Sequence, residues 1–252
     1  MNQQSSNPTA VVIVIGDEIL SGRTRDANLA FIGSRCDVLG IDLKEARIIK
    51  DEQQTIIDTV NYYRDNVDYV FTTGGIGPTH DDITAQSIAK AFDVGLERNI
   101  AAVAAMNSYY PSGKLNEARL RMADMPTGAN LIINPVSGAP GFQLENVFVL
   151  PGVPSIMQVM FDGLSDCLVG GSPVLTETVK TNIGEGSLAP DLSLIQDAYT
   201  DVSIGSYPFF SEGKIGVNLV LRSTNRHSVD EATVRIKCLV QELGGKLFGD
   251  GK

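Results

Sequence analysis

The sequence predicts an α/β protein with an open, mostly parallel sheet covered by helices on both faces, followed by a small α+β domain. Strand-like and helix-like segments alternate over the first two-thirds of the 252 residues. The strands there are continuous apolar runs, as expected of strands buried on both faces. After Gly170-Gly171-Ser172-Pro173 the pattern changes, so a boundary belongs there.

Residues 10–15 are almost wholly β-branched and read as the first central strand. Over residues 28–39, Leu29, Ile32, Cys36 and Leu39 share one helical face, and Gly40 ends the helix. A strand over 42–49 and a helix over 53–66, with Ile56, Ile57, Val60 and Tyr63 inward, come next. The next pair is a strand over 68–72 and a helix over 82–92 carrying Ile83, Ile88 and Phe92. Residues 97–122 read as helices broken at Pro111 to Gly113. Strands over 131–134 and 142–150 follow, the second folding into a hairpin at Glu145-Asn146. Pro154 suits a first helical turn and opens a helix with Ile156, Met160, Leu164 and Cys167. Beyond the boundary come a strand (174–181), a helix (188–199), two strands (202–209 and 215–222) around Glu212-Gly213, and a last helix (228–243). Ser228 with Glu231 three residues on forms a capping box for that helix. The expected organisation is a loose tail over 1–9, a ligand-binding domain over 10–170 and a small domain over 171–252.

Composition is globular, with 43% hydrophobic and 20% charged residues. The net charge of −10 repels phosphate backbones, so nucleic acid is not an expected partner. The longest apolar run, residues 100–106, is far short of the roughly 20 residues needed to cross a bilayer. The polar start lacks the basic and apolar segments of a secretion signal. Cys36, Cys167 and Cys238 lie far apart in amphipathic helical stretches, so reduced core thiols in a cytoplasmic protein are expected.

The chemistry concentrates in Thr72-Thr73-Gly74-Gly75-Ile76-Gly77-Pro78-Thr79-His80-Asp81-Asp82, between a strand and a helix at the carboxyl edge of the sheet. Glycines there let a ligand approach the main chain. Thr73, Gly74, Gly75, Gly77, Pro78 and Thr79, with the amides of the next helix, suit phosphate oxygens. Neither a P-loop nor a dinucleotide fingerprint is present. Asp81 and Asp82 can hold a divalent cation that bridges such phosphates, with Asp82 the one reaching the ligand and the other capping the helix. The blander alternative is a tight turn with either aspartate as N-cap. A second polar loop, with Gly16, Asp17, Glu18, Ser21 and later Asn28, should share the rim, as should Asp51. Gly138, Ala139 and Pro140, and Pro151, Gly152 and Val153, belong to two Gly/Pro loops that serve either as rigid turns or as pre-formed ligand walls.

The blocks GDEILSG…DAN, TTGGIGPTHDDIT, PTGANLIINPVSGAPGF and FVLPGVPSIM resemble, in this order, the molybdopterin-binding fold of the MoaB/MogA group, and most of all the amino-terminal domain of CinA-type proteins. The resemblance spans residues 10–167. It implies a three-layer α/β domain with a pterin or nucleotide phosphate bound below the TTGG loop, and a homo-oligomer. By position, Asp82 and Asp51 look like the acidic pair needed for nucleotidyl chemistry in molybdopterin adenylyltransferases. In the CinA branch the similar domain is linked to metal-dependent hydrolysis of ADP-ribose-like dinucleotides. Ile156 stands where that branch carries an acidic residue, and Gly184 to Ser187 departs from its GES-like pattern. No sequence follows Lys252 for the branch's amidohydrolase domain, so pyridine-nucleotide amidase activity is not expected. The second domain takes the place of a KH-like one, but its GxxG (Gly213 to Gly216) lies between strands and reads as a hairpin turn, not an RNA clamp. The expectation is a pyrophosphatase using Mg²⁺, Mn²⁺ or Co²⁺. The alternatives are adenylyl transfer to molybdopterin and non-catalytic binding of molybdopterin or a nucleotide.

Overall fold

A strand with apolar side chains on both faces is stable only in the middle of a covered sheet. In the computed structural model, which describes residues 7–211 and 214–248, β1 (Thr9–Ile15) lies there, parallel to β2 (Asp42–Ile49) on one side and β3 (Tyr69–Thr73) on the other. Between them run α1 (Asp17–Leu20), α2 (Asn28–Leu39) and α3 (Gln53–Arg64). Gly40 ends α2 at φ +66°, where the amides of Gly40 and Ile41 close back on the carbonyls of Asp37 and Cys36. Next come α4 (Thr84–Ala91), the short β4 (Leu96–Arg98), α5 (Ile100–Tyr109), α6 (Glu117–Leu120) and β5 (Asp124–Pro126), which pairs antiparallel with β4. The sheet then resumes with β6 (Asn130–Ile132), β7 (Gly141–Leu144) and β8 (Val147–Leu150), and α7 (Pro154–Leu164) covers it. Its order is β2-β1-β3-β8-β7-β6. β8 is parallel to β3, whereas β7 runs antiparallel to both of its neighbours.

Two cores follow from the two faces. Ile13, Ile56, Val60, Val70 and Ile88 bury one face; Val12, Ile32, Phe71, Met157 and Phe161 bury the other. The rings of Phe71 and Phe161 meet edge-to-face with centroids 5.0 Å apart. Burying one such side chain contributes roughly 1.5–3 kcal/mol.

The second unit, Ser172–Lys252, comprises β9 (Leu175–Thr181), α8 (Glu185–Ala198), β10 (Ser203–Ser211), β11 (Lys214–Ser223), α9 (Arg226–Glu242) and β12 (Leu247–Phe248). Its sheet is antiparallel in the order β10-β11-β9-β12. Val179, Val217, Leu219 and Leu221 bury one face against Leu188, Ile195, Ile236 and Val240.

Several expectations need correction. Thr9 is no tail residue: it opens β1, and its amide and hydroxyl donate to Asp68 at 2.7 and 2.8 Å. Residues 1–6 lie outside the described residues, as does the turn expected at 212–213. Helix α4 starts at Thr84, two residues late, with no side-chain cap, so neither Asp81 nor Asp82 caps it. Asn225, not Ser228, caps α9, its Oδ1 accepting from the amides of His227 and Ser228; the Ser228 hydroxyl is engaged with Asp201 at 2.7 Å. Only Cys36 is buried; Cys167 and Cys238 are exposed because their helical faces look outward. Among the described residues no helix is long and apolar enough to cross a membrane.

Candidate functional site

Because β1, β2, β3 and β8 are parallel, their carboxyl ends share one edge, and the loops leaving them meet there. The loop after β3 turns directly over the end of β1. Gly74 has φ +102°, and a Cβ on it would lie 2.1 Å from the Ile15 carbonyl oxygen. Only glycine fits. The Gly74 amide closes the ladder by donating to the Leu150 carbonyl at 3.1 Å. Thr84 then staples the loop to α4: its hydroxyl donates to the Gly74 carbonyl and its amide to the Gly75 carbonyl, both at 3.0 Å. Among the described residues the amides of Gly75, Ile76 and Gly77 have no protein acceptor. They form the free main-chain donors of the edge.

Two carboxylates stand behind this loop. Asp82 Oδ2 accepts from the Thr79 amide at 2.8 Å and the Thr79 hydroxyl at 2.6 Å. A Cβ on Gly77 would lie 2.6 Å from that oxygen, so the aspartate is folded beneath the turn. At the other turn, a Cβ on Gly75 would lie 3.4 Å from Asp51 Oδ1. Asp51 Oδ2 accepts from the Asp17 amide at 3.0 Å, tying the loop after β1 to the loop after β2. Burial raises the Asp51 pKa above its ordinary value; the charges of Asp17, Glu18 and Asp81 add to this, and the Asp17 amide opposes it. The acidic side chains of Asp17, Glu18 and Asp81 thus add negative charge around Asp51.

The loops enclose a crevice of about 530 Å³, lined by Glu18, Thr24, Gly74 to Pro78, Asp82, Met122, Asn134, Ser137, Ala139, Pro140, Pro151 to Pro154 and Ile156. Of the residues singled out in the sequence, Glu18, Gly74, Gly75, Gly77, Pro78, Asp82, Ala139, Pro140, Pro151, Gly152 and Val153 line it. Others stand behind the wall. Asn28 donates from Nδ2 to the Gly152 carbonyl at 2.8 Å, while its buried Oδ1 has no partner. Thr73 is buried with an unpartnered hydroxyl oxygen. Gly16 closes onto the Ile49 carbonyl, and Ser21 donates back to the Glu18 carbonyl. Gly138, at φ +73°, fits under Tyr109. Asp17, Asp51, Thr79 and Asp81 are likewise absent from the lining. Asp81 is two-thirds exposed, its carboxylate 3.9 Å from His80 Nδ1.

Sequence reading missed Thr24 and Met122, whereas Asn134 and Ser137 belong to the Gly/Pro loop over 134–141 that it offered as a ligand wall. Asn134 had a signal, an asparagine before proline opening a Gly/Pro loop. Its Oδ1 accepts from the amides of Val136 and Ser137, and its Nδ2 donates to Ser137 Oγ and the Ala139 carbonyl, so one side chain shapes the wall. Met122 comes from the segment after α6 and carried no signal. A smaller recess of about 60 Å³ shares Gly75, Gly77, Asp82 and Met122 and adds Gln86, Arg121 and Asp124.

No group of three or more His, Cys, Asp or Glu side chains converges as a metal cage among the described residues. The donors do fit a different arrangement. Asp82 keeps one oxygen without a protein donor, and a hard cation such as Mg²⁺ takes one or two carboxylates and completes its shell with phosphate oxygens and water.

Residues 11–169 match the family described as probable molybdopterin binding domain, and residues 173–243 match the middle domain of FAD synthase. A protein of Aeropyrum pernix is 33% identical over 96% of this chain and 97% of its own length. A probable FAD synthase of Caenorhabditis briggsae is 30% identical over 92% of this chain but only 49% of its own length. A solved structure, described as the protein CinA with unknown function from Thermoplasma acidophilum, is 33% identical and superposes with a TM-score of 0.59, covering 63% of this chain and 98% of that one. The fold is thus MoaB/MogA-like with an added antiparallel domain, and the chain belongs to the molybdopterin-binding-domain family, with CinA among its relatives.

Proposed function

We propose that the protein is a divalent-metal-dependent pyrophosphatase acting on ADP-ribose-like dinucleotides. One observation carries the reading: Gly75, Ile76 and Gly77, whose amides have no protein acceptor, line a crevice together with Asp82, one of whose carboxylate oxygens has no protein donor. Main-chain donors suit a diphosphate. Asp82, fixed by two hydrogen bonds from Thr79, would hold a cation against that diphosphate. When bound, such a cation neutralises phosphate charge and lowers the pKa of an attached water. Asp51 would act from behind Gly75, anchoring Asp17 and adding negative potential. The apolar walls, Val153, Ile156 and Met122, would cover the groups beyond the phosphates and exclude water. Relatives named probable FAD synthase align across both units, which supports placing FAD beside ADP-ribose among the substrates.

The test is release of mononucleotides from ADP-ribose, FAD or NAD in the presence of Mg²⁺, Mn²⁺ or Co²⁺. The Asp82→Ala variant should lose roughly two orders of magnitude in rate. Release that survives this substitution removes the mechanism. The family description supports a second reading, molybdopterin binding without hydrolysis. In that case no metal gives release, yet the ligand raises the unfolding temperature. ATP-dependent product formed only with molybdopterin would instead indicate adenylyl transfer.

A further inference from the structure

The two sheets carry edge strands of very different kinds. β6 has three residues, and β10 is interrupted by Pro208, so both are poor templates for pairing. β2 is eight residues long, contains no proline, and is exposed from Lys44 through Ile48. We propose that β2 pairs with β2 of a second copy of this chain, antiparallel about a twofold axis at Ala46.

The main chain is set for it. The Ile49 carbonyl accepts from Gly16 at the end of β1, so the odd-numbered residues beyond the bulge at Lys44 turn their polar groups inward. Ala46 and Ile48 then point theirs outward, and two facing Ala46 residues exchange both hydrogen bonds of a narrow antiparallel pair.

The side chains select the register. A twofold axis perpendicular to the sheet leaves each residue on the same face in both copies, so odd residues face odd and even face even. Centring on Glu45 sets glutamate against glutamate; centring on Arg47 sets arginine against arginine. Centring on Ala46 sets Glu45 against Arg47 twice and lets the Lys44 stem cover Ile48, which is 43% exposed. Within one chain Arg47 already donates to Glu45 at 2.8 Å, so the dimer would close a four-charge ring.

Sedimentation equilibrium of the full chain tests this. Wild type should self-associate, and E45R and R47E should each weaken association by roughly tenfold or more. An equimolar mixture of E45R with R47E should regain it, because one chain then offers two arginines and the other two glutamates. The gain in the mixture cannot come from the ion pair within each chain, which stays broken. With Cys167 and Cys238 changed to serine, Ala46→Cys should form a covalent dimer on mild oxidation, a readout independent of the charged variants. A monomeric wild type, single reversals without effect, or a mixture no tighter than its components would overturn the proposal.

Discussion

The two units bury sheets by opposite means, and the difference explains where chemistry can sit. In the first, β1, β3 and β8 are covered on both faces and run parallel to one another and to the edge strand β2, so their carboxyl ends meet at one edge and the loops after β1, β3 and β8 converge. In the second, antiparallel strands alternate direction and bury one face only. There β9 and β10 end at one edge of the sheet and β11 and β12 at the other, so the strand ends are shared between two edges rather than gathered at one. Parallel order concentrates loops; antiparallel order disperses them.

Substituting Gly74 would break this comparison most severely. In Gly74→Val the side chain would enter the Ile15 carbonyl at a backbone angle that valine rarely adopts, at a cost of about 3–5 kcal/mol. Chemical denaturation should show that loss, together with loss of mononucleotide release. Next comes Leu219→Ala. Leu219 is fully buried in the second unit, so the change should cost about 2–5 kcal/mol in denaturant unfolding. Release per folded molecule should stay at the wild-type level. If it falls, the second unit takes part in the site and the contrast between the units fails.

A smaller effect sharpens the description of the second unit. Asn225→Ala removes the acceptor for two amides of α9 and should cost about 1 kcal/mol, read as a lower unfolding temperature. Ser228→Ala, at the position that looked like the cap, should cost less, since only the contact to Asp201 is lost.

What was legible follows physical range. Continuous apolar runs and 3.6-residue spacing are local signals, and β1, α2, α3 and α7 were readable from them. The crevice was readable where glycine and proline mark it, in Gly74 to Pro78 and Pro151 to Val153. The cap of α9 was misread because Asn225 and Ser228 are both good capping types; in the fold both donate to Asp201 Oδ2, and it is Asn225 Oδ1 that accepts from the amides of His227 and Ser228. Met122 and Thr24 reach the crevice through tertiary packing, which leaves no local trace. Asp51 illustrates both. Its place after a strand was visible, but not that it stands behind Gly75 rather than in the crevice.

Asp51 also gives the smallest and most diagnostic effect. Burial and acidic neighbours favour its protonated form in the fold, so the folded pKa lies above the ordinary 3.8. The folded state then binds the proton more tightly than the unfolded state. Stability from this group is greatest with the carboxyl protonated and falls as pH rises from 3.8 through the folded pKa. Asp51→Asn keeps an oxygen for the Asp17 amide and removes the charge. In chelator-treated buffer near pH 7 the variant should therefore unfold at a temperature no lower than wild type, and any advantage should vanish below pH 3.8. A variant less stable near pH 7 would mean that the carboxylate serves the first unit as a structural acceptor. The acidity gathered at the parallel edge would then be architecture rather than potential held for a cation.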